Sequence, residues 1–296
     1  MAISAKIIQD SISRGIRITT FELTYPRFIH SEFLTHRTFS RNSASSRAIP
    51  IEKMLHHIAA EHAEPIHWGM NQAGMQAKQE LKGNELALAR QAWNHAALSA
   101  VSHSRNMSEL NLHKQIANRV TEPFQTMKTI VTATEYDNWF WLRNHTDAQP
   151  EIHELAKQMK QAMEESFPMI LYSGEWHVPY IDRARDYVDN IIVYSVNGIE
   201  LDIEKAKKIS ASCCAQVSYR KLDDSIEKAE MVFDRLITSV PRHSSPFEHA
   251  ASPMVENIGG HDETWQLGVT HMDRFGQLWS NNFRGWIQYR ALIDLS

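Results

Sequence analysis

Apolar and polar positions alternate along residues 5–12 and 15–26, so the chain reads as two β-strands around a turn at Ser13, Arg14 and Gly15. Ile16, Ile18, Thr20 and Glu22 show the period of two expected of a half-buried strand. Pro26 closes the second strand, and a short helix is expected to about residue 38. Ile49 and Pro50 end the polar stretch that follows, and Pro50 stands where a new helix prefers its first residue. Long helical patterns cover residues 71–102 and 107–119. Residues 121–134 are mixed and β-branched, and the helical-looking 135–143 follows them. Pro150 opens an amphipathic helix with Ile152, Leu155, Met159 and Met163 on one face. An aromatic loop is expected over 173–182, and a turn signal at Asn197–Gly198 starts a fresh unit. Helices are expected over 203–219 and 223–239, the second capped by Asp224 or Ser225. A loop entering a strand follows over 241–255, then a flexible stretch at 258–265 and a closing helix over 279–293.

One stretch departs from this regularity. Residues 35–47, THRTFSRNSASSR, hold one His, three Arg, one Asn and four Ser, with Phe39 and Ala44 the only apolar side chains. A polar loop hung from the end of a helix lets hydroxyl, amide and guanidinium groups face one way and grip a phosphate. Composition alone would make it a solvated Ser-rich turn; the order of its residues points elsewhere.

The whole-chain balance narrows the possible ligands. With 296 residues there is length for a proper core, in one large domain or two modest ones. The formal charge of −4 argues against a basic coat for duplex DNA or RNA, so an anionic small molecule met by a few placed arginines is favoured over nucleic acid. No apolar run approaches the ~20 residues of a membrane span, and the N-terminal residues lack a signal-peptide core. The two cysteines, Cys213 and Cys214, are adjacent. No disulfide framework is expected and a reducing cytoplasm is. His56, His57, His62 and His67 invite a metal reading, yet no HExxH spacing and no carboxylate at a matching helical offset completes a site, so no metal is expected.

The polar stretch resembles the signature of the flavin-dependent thymidylate synthases, the ThyX family, in which an Arg-His-Arg helix end is followed by Ser, Asn, Ser, Gly and Arg. His36, Arg37, Ser40, Asn42, Ser45 and Arg47 stand at those offsets. Two further segments match. Arg119 to Pro123 resembles the family's Arg-x-x-x-Pro, and Asn138 with Arg143 its Asn-x-x-x-x-Arg helix. HSSPFEH, residues 243–249, is similar to its His-x-Thr-Pro-Phe-Glu-His, with Ser218 upstream on a flavin-contacting position. The order is unusual: the Pro-Phe-Glu-His segment precedes Arg-His-Arg in typical members and follows it here. The chain is therefore read as a circularly permuted member, one catalytic domain over 1–296, with residues 1–170 as the family's C-terminal part and 203–296 as its N-terminal part. Residues 56–104 and 173–197 match nothing in the family. Termini that lie close together in compact domains make such a rearrangement tolerable.

The resemblance implies an α+β subunit, an antiparallel or mixed sheet flanked by long helices, assembled as a homotetramer. It implies reductive methylation of dUMP at C5, with FAD as redox centre and NADPH and methylenetetrahydrofolate as co-substrates. Arg143 would be the catalytic group, polarising the pyrimidine edge. Ser45, Ser46, Arg47 and Arg119, with Arg143, would bind the nucleotide. His36, Arg37, Asn42, Asn138, Ser218, His243 and Ser245 would hold the flavin. Cys213 and Cys214, in an apolar helix, are expected to be buried and not nucleophilic. Departures from the family pattern are Glu32 for Gln, Thr35 for the first Arg, Ser43 for an acidic residue and Ser46 for Gly. They leave open a C5-hydroxymethylating relative, a dCMP-using one, or a binder without turnover. Arg284, Gln288 or Arg290 of the closing segment is expected to reach the place Thr35 leaves.

Overall fold

The computed structural model describes residues 3–186, 188–218, 223–255 and 265–293. Strands β1 (Ser4–Ser13) and β2 (Ile16–Pro26) form the expected antiparallel hairpin. Its turn puts both Arg14 and Gly15 at positive φ, the two-residue geometry that matches strand twist. A short helical passage, α1 (His30–Phe33), leads to β3 (Ser40–Ser43). With β4 (Thr126–Ala133) and the short β5 (Met169–Ile170) these strands form a five-stranded sheet in the order β3-β4-β2-β1-β5. The Ser- and Arg-rich stretch is thus partly an edge strand, pairing Ser40 with Thr132 and Ser43 with Thr129.

Between β3 and β4 lie α2 (Ile51–Ala60), α3 (Gly83–Glu109), α4 (Lys114–Ala117) and a 3-10 turn, Asn118–Phe124. The helix expected from residue 71 begins only at Gly83; Gly74 and Gly83 both sit at positive φ. At the other end α3 runs through Met107, where the sequence pattern predicts the start of a separate helix. Asn111, at φ 62°, stops it, with Leu112 N–H reaching back to Met107 O at 3.0 Å, a left-handed helix stop.

After β4 come α5 (Asp137–Arg143) and α6 (Pro150–Glu165). Ile152, Leu155 and Met159 of α6 are fully buried against Phe21, Leu23, Tyr25 and Trp139, as its spacing predicts. The loop expected over 173–182 leads at Asp182 into a small sheet of β6 (Asp182–Arg185), β7 (Ile192–Val196) and β8 (Ile199–Leu201), its β7–β8 turn made by Asn197 and Gly198 at positive φ. Helices α7 (Ile203–Ala215) and α8 (Ile226–Thr238) follow, α8 capped by the Ser225 hydroxyl. A 3-10 turn, Ser245–His249, leads into β9 (Ala251–Pro253). Most of the stretch read as flexible at 258–265 lies outside the described residues.

The closing segment is not the expected helix over 279–293. It forms β10 (His271–Met272), β11 (Leu278–Ser280), β12 (Phe283–Arg284), β13 (Trp286–Gln288) and only a final turn of helix, α9 (Tyr289–Ile293). Asn281 and Gly285 at positive φ break the helical pattern, and a Cβ on Gly285 would lie 2.5 Å from Ile16 Cδ1. This segment packs Trp286 and Phe283 with Phe247, Ala211 and Trp176 in a second core on the opposite side of the sheet.

Candidate active site

The end of α1 and the end of α5 meet at Arg143. Its Nε–H donates to His36 Nε2 at 3.1 Å, its Nη2 to Thr35 Oγ1 at 3.4 Å, and its Nη1 lies 3.6 Å from Glu32 Oε2. His36 is buried, stacked on Phe39 and edge-on to Trp139 at 4.7 Å. Burial, with Arg143 and Arg41 adding repulsion, lowers its pKa to about 4, so the imidazole is neutral and free to accept from Arg143. Arg143 and Glu32 share the wall of a cleft of about 1030 Å³ that Phe28, Trp93 and Glu151 also line.

Arg41, which sequence reading passed over, shapes this corner. Its Nη1 donates to the carbonyls of Phe33, Leu34 and His36 at 3.1–3.3 Å, capping the end of α1 with a fixed cation. Its place inside the polar stretch was the available signal, but nothing in the spacing distinguished it from a ligand-binding arginine.

Behind β3 the loop is tied down by neighbours far away in sequence. Ser45 N–H donates to the Ser218 hydroxyl at 2.9 Å, and Asn42 Nδ2 to Cys214 O at 3.2 Å. Asn118 Nδ2 donates to Ser46 O and Ile49 O, and Lys114 Nζ to Ala48 O, which brings the Arg119 turn against the loop that carries Arg47. Arg47 and Arg37 are exposed and make no ion pair among the described residues; Arg119 has only a 3.4 Å contact with Glu122. Ser46 is buried, and it is its carbonyl rather than its hydroxyl that meets Asn118.

The structure therefore joins Arg143 with His36, and Ser45 and Ser46 with Ser218 and the Arg119 segment. It gives Asn138 no partner among the described residues; this side chain is on the exposed face of α5. His243 and Ser245 are exposed on the approach to Ser245–His249, a turn that packs on β3 through Gln288, whose Nε2 reaches both Ser40 Oγ and Glu248 O. The residues expected to replace the missing first arginine do not approach Thr35. Arg284 pairs with Glu135 at 2.5 Å, Arg290 pairs with Glu248, and Gln288 is held by Ser40 and Asn282; Arg143 itself is what reaches Thr35. That expectation requires a helix at this position, and strands stand there.

Both thiols are buried, Cys213 pushed up to about 12 and Cys214 well above the ordinary range, so neither is a thiolate near neutrality. Among the described residues, the buried side-chain atoms left without partners include Asn42 Oδ1, Asn118 Oδ1, Trp139 Nε1 and His249 Nε2. Unmet buried polar atoms, together with exposed arginines that make no ion pair, are what a site built for a polar, anionic cofactor leaves behind.

The family model Thy1, thymidylate synthase complementing protein, matches residues 17–169. The chain belongs to this family. The matched span begins in β2 and holds the residue 35–47 stretch, Arg119, Asn138 and Arg143. Ser218, His243 and Ser245 lie beyond it. Among solved structures the chain is similar to the UMP/dUMP methylase PolB from Streptomyces cacaoi bound with 5-Br dUMP: 15% identity, TM-score 0.47, over 57% of this chain and 91% of that one. The same methylase bound with 5-Br UMP matches at 14% identity, TM-score 0.44, over 57% and 90%. No curated protein sequence matches significantly. Among the described residues, no helix of this Thy1 family member is long and apolar enough to cross a membrane.

Proposed function

We propose that this Thy1 family member is a flavin-dependent thymidylate synthase that methylates dUMP at C5. Membership of the family supports a flavin enzyme acting on that nucleotide, and the observation that carries the finer reading is the Arg143–His36 contact. A neutral imidazole accepting from Nε orients the guanidinium and leaves its charge intact, so Arg143 can stabilise negative charge that develops on the pyrimidine carbonyl and ring nitrogen. With both thiols protonated and buried, activation of C5 falls to this electrostatic route.

Arg47 and Arg119, with backbone N–H groups of the loop that Asn118 and Ser218 hold, bind the phosphate. His36, Arg37, Asn42, Asn138, Ser218, His243 and Ser245 hold FAD. When bound, FAD supplies the redox centre between NADPH and the one-carbon unit of methylenetetrahydrofolate. The balance is one carbon from the folate and two hydrogens, a hydride from NADPH and a proton from solvent, giving dTMP, tetrahydrofolate and NADP⁺. The chain is further read as one permuted catalytic domain: 1–170 as the family's C-terminal part and 203–296 as its N-terminal part, a reading supported by the way Ser218 and Ser245–His249 pack on β3. A homotetramer in the cytoplasm completes it, supported by Trp141, 76% exposed on the same helix as Arg143, and by the free cysteines.

A second reading has its own support. Arg143 leans on Glu32 and Thr35, both departures from the family pattern, which suits C5-hydroxymethylation or a dCMP substrate. The hydroxymethyl product takes up water in place of a hydride, so it consumes no NADPH. Purified protein given FAD, methylenetetrahydrofolate and NADPH with dUMP or dCMP is expected to oxidise NADPH only with dUMP and to yield a product heavier by one methylene. A hydroxymethyl mass without NADPH loss selects the second reading, and a protein that binds no FAD overturns both.

A further inference from the structure

Glu32 lines the cleft beside Arg143, and the methylation described above gives it no role. Its side chain is 41% exposed, and its Oε2 lies 3.6 Å from Arg143 Nη1. A plain counter-ion closes on a guanidinium to about 2.7–2.9 Å, often through two parallel bonds. Glu32 stops short of that, and its carboxylate accepts no hydrogen bond among the described residues. The carboxylates that α6 brings to the same cleft are occupied. Glu151 accepts from Ile66 N–H at 2.8 Å and from Gln149 Nε2, and Glu154 from Gln158 Nε2 at 2.8 Å.

The donors of Arg143 fall on two edges of the planar guanidinium. Nε–H and one N–H of Nη2 form the first edge and are spent on His36 and Thr35. Thr35 Oγ1 itself donates to Glu32 O at 2.6 Å, so its oxygen is left to accept. The second edge, one N–H each of Nη1 and Nη2, makes no hydrogen bond among the described residues. It is a fork of two parallel donors, with the Glu32 carboxylate on its Nη1 side. That pattern does not fit neutral uracil, whose ring edge runs acceptor, donor, acceptor, with N3–H between O2 and O4. The fork would set one of its N–H groups against N3–H. Without that proton the edge offers two adjacent acceptors, N3 and a neighbouring carbonyl oxygen, which is what the fork needs.

We propose that Glu32 is a catalytic base that takes the N3 proton of the bound uracil, while the free edge of Arg143 holds the resulting anion. This role rests on the functional reading above and says where the ring proton goes. The N3–H bond breaks, its proton passes to Glu32 Oε2, and the electron pair stays on N3, shared with O2 and O4. A carboxylate is a weak base toward an imide N–H, and the fork offsets this by fitting only the ionised edge. The added charge raises electron density at C5, where the one-carbon unit attaches. Glu32 then returns the proton to N3, so none is consumed.

The test uses 5-bromo-dUMP labelled with nitrogen-15 at N3, in which bromine blocks C5 and makes N3–H more acidic. Bound to the FAD-loaded wild type at pH 7, its N3 resonance is expected where the free nucleotide shows it in alkali. Bound to Glu32→Gln, it is expected at the protonated position, with nucleotide affinity within a few-fold of wild type. Turnover of dUMP by that variant is expected to fall about 10²-fold or more, the size of a lost general base. Glu32→Asp is expected to recover part of both the ionised signal and the turnover, which a purely structural role would not do. An N3 still protonated on the wild type overturns the role of Glu32 and leaves dUMP methylation standing, and so does full turnover by Glu32→Gln. A wild type that binds no 5-bromo-dUMP overturns that role together with the functional reading.

Discussion

Arg143 Nε and His36 Nε2, 107 residues apart in sequence, meet at 3.1 Å and join the end of α5 to the end of α1. The bond needs a neutral imidazole, and burial supplies it by lowering the His36 pKa. Replacing Arg143 by Ala should therefore cost turnover, about 10²-fold or more if it stabilises developing charge. Stability should move by no more than about 1 kcal/mol, because the side chain is half-buried and its carboxylate contact is long. Steady-state kinetics beside a urea melt separate the two, and an unfolded Arg143→Ala variant would contradict the assignment.

Asn118 is fully buried and spends both amide hydrogens on the loop, at 2.8 Å to Ser46 O and 3.1 Å to Ile49 O. Asn118→Ala leaves those carbonyls unmet and should destabilise the fold by about 1–3 kcal/mol. Because the loop presents Arg47, KM for the nucleotide should rise more than kcat falls. Arg47→Ala, at an exposed position, should raise KM with stability within about 0.5 kcal/mol. Initial rates against nucleotide concentration for the two variants distinguish loop shape from direct charge.

Much of this architecture is legible in the order of the residues. The β1–β2 alternation, the proline start of α6 and the Asn197–Gly198 turn each announce themselves, since each depends on local geometry alone. The closing segment misleads because WSNNFRGWIQYR spaces its apolar residues like a helix, while two left-handed positions, Asn281 and Gly285, decide otherwise. At the site, the residue 35–47 stretch, Arg119 and Arg143 stand out through family spacing. Arg41 does not, because its partners are backbone carbonyls. Glu32 is visible as a departure, yet only the fold shows that it faces Arg143.

Cys213 and Cys214 provide a direct check on the electrostatic route. Burial holds Cys213 near 12 and Cys214 well above its ordinary value, and Cys214 packs with Ile130 and Val217. Cys213→Ala should retain turnover within a few-fold, with a stability loss near 1 kcal/mol for a small buried side chain. Thiol-directed reagents should inactivate no faster than the protein unfolds. Loss of all activity in a folded Cys213→Ala enzyme would make the thiol the nucleophile and remove Arg143 from the centre of the chemistry.

The buried histidines set a pH signature. His36 and His30 are lowered to about 4 and His249 to about 3, chiefly by burial, from an ordinary value near 6.5. Between those values and 6.5 the unfolded chain binds protons that the folded chain refuses, so stability is full above about pH 6.5 and falls as the pH drops towards 4 and then 3. Each such group contributes a slope of at most about 1.4 kcal/mol per pH unit in its window. Urea midpoints should be level from pH 7.5 to about 6.5 and fall from there to pH 4.5, and His36→Asn should flatten that fall by up to one group's slope. Activity should decline for a separate reason only as the pH approaches 4, where a protonated His36 cannot accept from Arg143 and the guanidinium loses its orientation. A flat stability profile from pH 6.5 to 4.5 would mean that these imidazoles are solvated, and the orientation of Arg143 would then need another source.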